Sequence, residues 1–75
     1  MIEVARDSSD NPLEVLTDRE LEILSRLAEG TTNKTIASEL SISPETVKAH
    51  TKSIYRKLHV TNRVQAILLY QARPP

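Results

Sequence analysis

The chain has 75 residues, 39% of them hydrophobic, with one glycine, no cysteine and a formal net charge of zero. A chain this short holds a single small core, burying only about 60% of the surface it exposes when unfolded, and without cysteine neither a disulfide framework nor a thiolate zinc site can staple it. The neutral total hides a split, net −5 over residues 1–30 and net +5 over residues 31–75, and a polyanion meets the local field rather than the sum.

Residues 1–15, MIEVARDSSDNPLEV, mix Asp, Ser, Asn and Pro with isolated aliphatics and show no sustained period. This predicts a flexible linker ahead of one domain over 16–75. No apolar run approaches a membrane span, and the N-terminus lacks the cationic and apolar regions of a signal peptide, so a cytoplasmic chain without membrane contact is expected.

The first helix is predicted over 18–29. Thr17 and Glu20 have the spacing of a capping box, and Leu16 stands where a hydrophobic staple belongs. Leu21, Leu24, Leu27 and Ala28 form its inward stripe with Ile23 flanking, and Gly30 is placed for a left-handed stop. A second helix over 33–40, capped by Thr32, turns Ile36, Ala37 and Leu40 inward. Small Ala37, a turn four residues later at Ser41, then Ile42 and Val47, give the spacing of a helix-turn-helix. Its two short helices cross at roughly 90 to 120°, which needs a small residue where the backbones approach and apolar residues inside the elbow.

The third helix is predicted over 44–58. Ser43 is its cap, Pro44 suits the first helical position, and Glu45 complements the dipole. At about 100° per residue, Val47, Thr51, Ile54 and Leu58 share the core side, with His50 at its margin. Lys48, Ala49, Lys52, Ser53 and Arg56 occupy the opposite side, with Tyr55 along the flank. Long cations separated by small residues suit phosphates and base edges in a major groove. Such a charge pattern alone is commoner on a solvated face; the adjoining elbow turns the reading toward double-stranded DNA.

A fourth helix, over 62–72, is apolar on two sides: Ala66, Leu69 and Tyr70 on one, Val64, Ile67, Leu68 and Gln71 on the other. A surface helix needs one buried stripe, so the second strip predicts a homodimer, with burial of both strips as the alternative. The expected fold is all-α, a compact four-helix bundle containing the helix-turn-helix. No glycine-rich phosphate loop, cysteine nucleophile or clustered His and carboxylate pair is present, so no enzyme and no cofactor are expected. His50 and His59 lie nine positions apart and do not share a helix face, so no metal is expected either.

The order LTDRELEILSRLAEGTTNKTIASELSISPETVKAHTKSIYRKLHVTNRVQAI closely resembles the LuxR-type, or NarL/FixJ-type, helix-turn-helix domain over residues 16–72. The markers are Leu16-Thr17 with Arg19-Glu20, Ala28 with Gly30, Asn33-Lys34 with Ile36-Ala37, Ile42-Ser43, Thr46-Val47-Lys48 with His50, Lys57-Leu58 with Val60, and Arg63 with Ala66. The resemblance implies the C-terminal effector domain of a bacterial transcription regulator. Such a domain binds double-stranded DNA as a two-fold dimer under an upstream sensory or receiver domain absent from this chain. It implies that helix 44–58 enters the major groove and helix 62–72 makes the dimer. The family's contacting positions fall on Lys48, Ala49 and Lys52, with Arg56 further along and Thr46 near the DNA backbone. Asn33 and Lys34 open the second helix, where backbone amides and a cation can hold phosphate.

The resemblance also implies an ion pair between Glu20 and Arg63. Two positions depart from the pattern: Ser41 stands where glycine or asparagine is usual, and His59 where glycine is common, each raising the question of a strained turn. The ending IYRKLHVTNRVQA is most similar to the terminal domains of large MalT-like regulators, and response regulators share much of it. Two other readings stand beside this one: a protein-interaction module, which salt-sensitive binding to duplex DNA would separate from it, and region 4 of a bacterial sigma factor, against which Asn33-Lys34 and Thr46-Val47-Lys48 favour the LuxR type.

Overall fold

Each stretch that carries both a start signal and an apolar side forms a helix. The structure, a computed structural model, describes residues 12–72. It contains α1 (Asp18–Ala28), α2 (Asn33–Leu40), α3 (Pro44–Leu58) and α4 (Arg63–Gln71), preceded by a single 3₁₀ turn, Pro12–Val15. No strand occurs among the described residues. The capping box closes in both directions: Thr17 Oγ1 accepts from the Glu20 N–H at 3.1 Å, and Glu20 Oε1 accepts from the Thr17 N–H at 2.9 Å. Thr32, Ser43 and Asn62 accept from the amides of Thr35, Thr46 and Gln65 at the other three starts. Each cap contributes about 1 kcal/mol by satisfying an amide the helix itself leaves unpaired.

Three of the four helices stop in the same way. Gly30, Ser41 and His59 take left-handed backbone angles, with φ of 87°, 59° and 59°. The following amides of Thr31, Ile42 and Val60 then reach back five residues to the carbonyls of Arg26, Ala37 and Tyr55 at 3.1, 2.9 and 3.0 Å. Ser41 and His59 therefore do occupy the conformation that glycine usually fills. A non-glycine residue there costs about 1–2 kcal/mol, while glycine costs about 0.5–1 kcal/mol through the freedom it gains when unfolded. Ser41→Gly is expected to stabilise the domain by a few tenths to about 1 kcal/mol, read as a melting temperature raised by a few degrees. A lowered melting temperature would show that the serine hydroxyl holds the elbow.

The core draws on every element: Leu13 from the 3₁₀ turn, Ile23, Leu24 and Leu27 from α1, Ile36 and Ala37 from α2, Val47, Ile54 and Leu58 from α3, and Ala66 from α4. α1 packs against both α3 and α4, and α2 packs against α3. Two expectations change. Pro12–Val15, expected within a linker over 1–15, form a 3₁₀ turn that buries Leu13 against α3 and α4; the linker reading of residues 1–11 lies outside the described residues. The inward side of α1 takes in Ile23, which is fully buried, whereas Leu21 is 37% exposed. The reason is Glu20, itself buried, which shares the core side with Leu24 and Leu27. Leu21 stands about 100° around the helix from it and falls at the edge.

Candidate nucleic-acid interface

α3 is held from behind by Val47, Ile54 and Leu58, all buried, with Thr51 among them donating its hydroxyl to the Val47 carbonyl at 2.8 Å. This satisfies a polar group that burial would otherwise penalise. His50 lies half-buried at the margin of that side. With the inward side fixed, the opposite side carries Lys48, Ala49, Lys52 and Arg56, all exposed. Among the described residues none of these three cations is in an ion pair. The two acids of the basic half are placed differently from each other. Glu39 is engaged by the Arg26 guanidinium, which also reaches Glu22, and Glu45 sits in the first turn of α3.

The starts of α3 and α2 carry the other predicted positions. Thr46 is exposed, and its hydroxyl shares a 2.9 Å hydrogen bond with that of Ser43, so it takes part in the cap. At α2, Asn33 is half-buried and Lys34 exposed. Ser53 is the predicted site residue that turns away. Its hydroxyl donates to Glu20 Oε2 at 2.8 Å, so it is engaged inside the fold rather than left free on the cationic surface.

Glu20 has a second role, beside its part in the capping box, that the sequence did not reveal. Glu20 is 5% exposed, and its Oε1 accepts from Lys57 Nζ at 2.8 Å as well as from the Thr17 amide. The expected ion pair between Glu20 and Arg63 does not form. Arg63 instead donates to the carbonyls of Leu27 and Thr31 at 3.2 and 3.0 Å. Glu20 opens α1 while Leu27 lies near its end, about 10 Å along the axis, and a guanidinium is well placed at the carbonyl end of a helix. Burial holds the nearby Tyr55 phenol above its usual range, against the opposing pull of Arg63.

Burial by itself pushes the Glu20 carboxyl up, but the Lys57 ammonium, the Thr17 amide and the Ser53 hydroxyl together bring it from 4.5 down to about 2. A carboxylate whose pKa falls on folding stabilises the fold above its unfolded pKa, and that stability is lost as pH falls through the folded one. The loss is expected between about pH 4.5 and pH 2 and amounts to about 1 to 3 kcal/mol, reduced from the full linkage because the Lys57 side chain is 32% exposed and water screens the pair. Urea unfolding across this range checks it. Glu20→Gln should lack this share of the acid dependence, and identical profiles for the two proteins would remove the assignment.

On α4, Ala66 is fully buried, Leu69 and Tyr70 are partly buried against the core, and the second strip faces outward. Val64 and Leu68 are 65% and 58% exposed, Gln71 is exposed, and Ile67 is half-buried at the boundary. No helix among the described residues is long and apolar enough to cross a membrane.

Residues 14–70 match the family model described as bacterial regulatory proteins, luxR family. The chain is 51% identical over 65 residues to a nitrate/nitrite response regulator protein homolog of Haemophilus influenzae, an alignment covering 87% of this chain and 31% of that protein. It is 49% identical over 63 residues to the nitrate/nitrite response regulator protein NarP of Escherichia coli, covering 84% of this chain and 29% of that protein. Against the transcriptional regulatory protein LiaR of Bacillus subtilis it is 54% identical over 63 residues, covering 81% and 30%. The chain thus spans about a third of the length of the curated relatives it matches. Two of the three are response regulators by name, the second of the two kinds of protein that the ending of the chain resembles.

Proposed function

The chain belongs to the luxR family of bacterial regulatory proteins, a family of DNA-binding transcription regulators, and from that premise we propose that it reads a specific double-stranded DNA sequence by inserting α3 into the major groove. The observation that carries the reading is one surface. Lys48, Lys52 and Arg56 stand exposed on the side of α3 opposite its buried residues, and none is in an ion pair among the described residues. Cations free of acidic partners keep their full attraction for phosphate and need break no ion pair to bind. Ala49 between them leaves room for the helix to approach base edges. Lys34 and Asn33 at the start of α2, and Thr46 at the start of α3, serve the phosphates on either side.

The proposal includes assembly. Two copies joined through Val64, Leu68 and Gln71 of α4, with Ile67 at the edge, present paired reading helices to half-sites about one turn of DNA apart. It also includes control by a sensory or receiver domain in a longer cytoplasmic protein, in which this chain is the effector. Selecting bound duplexes from a random pool tests the whole reading. The expected product is an enriched site with inverted half-sites, and a pool that shows no enrichment overturns it.

The dimer has its own test. Leu68→Glu is expected to leave the thermal transition in place, because the side chain is 58% exposed. It should weaken binding to a duplex with two half-sites by about tenfold or more, and leave a single half-site unaffected, because only the linked binding is lost. Anisotropy titrations on the two duplexes measure this. A collapsed thermal transition would make this strip part of the core, and an unchanged two-site affinity would remove α4 from assembly.

A further inference from the structure

Both side-chain hydrogen bonds that join α1 to α3 end on one carboxylate, and the two donors lie one turn apart beside the cationic surface. Ser53 Oγ donates to Glu20 Oε2 at 2.8 Å and Lys57 Nζ to Oε1 at 2.8 Å. The carboxylate is itself fixed, since Oε1 also accepts from the Thr17 amide at the start of α1. Both helices also contribute apolar residues to the shared core. Apolar burial holds α3 down but is non-directional, so a roll of a few degrees that keeps the same side chains covered costs it little area. Hydrogen bonds to a fixed acceptor are directional and oppose that rotation.

We propose that Glu20 is a positioning residue for the reading helix: by holding Ser53 and Lys57 on one carboxylate it fixes the roll of α3 and so decides which base edges Lys48 and Lys52 meet. A roll of about 10° carries a side-chain tip about 6 Å from the helix axis through about 1 Å. That displacement exceeds the distance range within which a hydrogen bond keeps its strength. Phosphate attraction, being long-ranged, scarcely changes over the same displacement. Loss of the network therefore removes discrimination between sequences and spares affinity for DNA in general.

This role rests on the DNA-reading function proposed above, so the unmodified chain is measured first, on its selected duplex and on a scrambled duplex of equal length. A chain that binds neither, or both alike, overturns that function and the role of Glu20 with it. In a chain that discriminates, Glu20→Gln keeps the shape of the side chain and removes its charge. It is expected to lower the ratio of the two affinities by about three- to tenfold, with binding to the scrambled duplex within about twofold and helix content unchanged. Ser53→Ala is expected to give part of that loss, and the double variant no more than Glu20→Gln alone, because both break one linkage. Should Glu20→Gln fail to fold, Ser53→Ala and Lys57→Gln are combined instead, and a loss shared between them supports the role. Equal losses on both duplexes, an unchanged ratio, or additive losses in the double variant overturn it.

Discussion

Alanine at Lys48 or at Lys52 is expected to weaken binding to the selected duplex by about 1 to 3 kcal/mol each, roughly 5- to 150-fold in affinity. The size follows from where the charges stand. Both lysines are exposed on the same side of α3 and neither is in an ion pair among the described residues, so their removal costs the free protein little and the complex much. Titrations at two salt concentrations, on selected and scrambled duplexes, separate two kinds of contact. A lysine that meets base edges loses affinity mainly for the selected duplex. A lysine that meets only phosphate weakens both alike and lowers the salt slope by about 0.9. If neither variant changes either affinity, the cationic surface is a solvated face and α3 is not the reading helix.

That surface was legible because helix periodicity is a local property. Once Val47, Thr51, Ile54 and Leu58 are assigned to the core, the angle of 100° per residue places Lys48, Ala49, Lys52 and Arg56 opposite them, and all four are exposed. The helix boundaries were legible for a similar reason, since Thr17, Thr32 and Ser43 act on amides within three residues of themselves. Ser41 and His59 stood out because they occupy positions where a left-handed residue is needed, and both adopt that conformation.

What was not legible depends on how helices sit against one another. The capping half of Glu20 is written in the spacing Thr-x-x-Glu, but its partners Ser53 and Lys57 are 33 and 37 residues away. Nothing within one helix predicts that meeting. Ser53 stands on α3 between the cationic side and the core side, and only the crossing of α1 decides that it turns inward. The pairing of Glu20 with Arg63 failed for the same reason, since the two residues meet opposite ends of α1. Leu13 was missed because a turn of four residues is too short to show a period, although the spacing of Leu13 and Leu16 was a signal of a kind.

Ile54→Ala is expected to cost about 2 to 5 kcal/mol, the largest loss of stability proposed for this domain. Ile54 is fully buried in the middle of α3, directly behind the cationic side. At about 0.05 to 0.15 kcal/mol per residue, a domain of this size has a total stability of roughly 4 to 11 kcal/mol. The variant therefore surrenders a large share of it, and its melting temperature should fall by at least about 10 °C. The same residue ties stability to function. DNA bound by the folded state alone stabilises that state, by about 2.7 kcal/mol when present at a hundred times its dissociation constant. Adding the selected duplex should thus recover much of the lost melting temperature, and the scrambled duplex should recover less at equal concentration. A fall of only a degree or two would mean that α3 has no apolar brace behind it, and recovery equal for both duplexes would mean that the braced helix holds DNA without reading it.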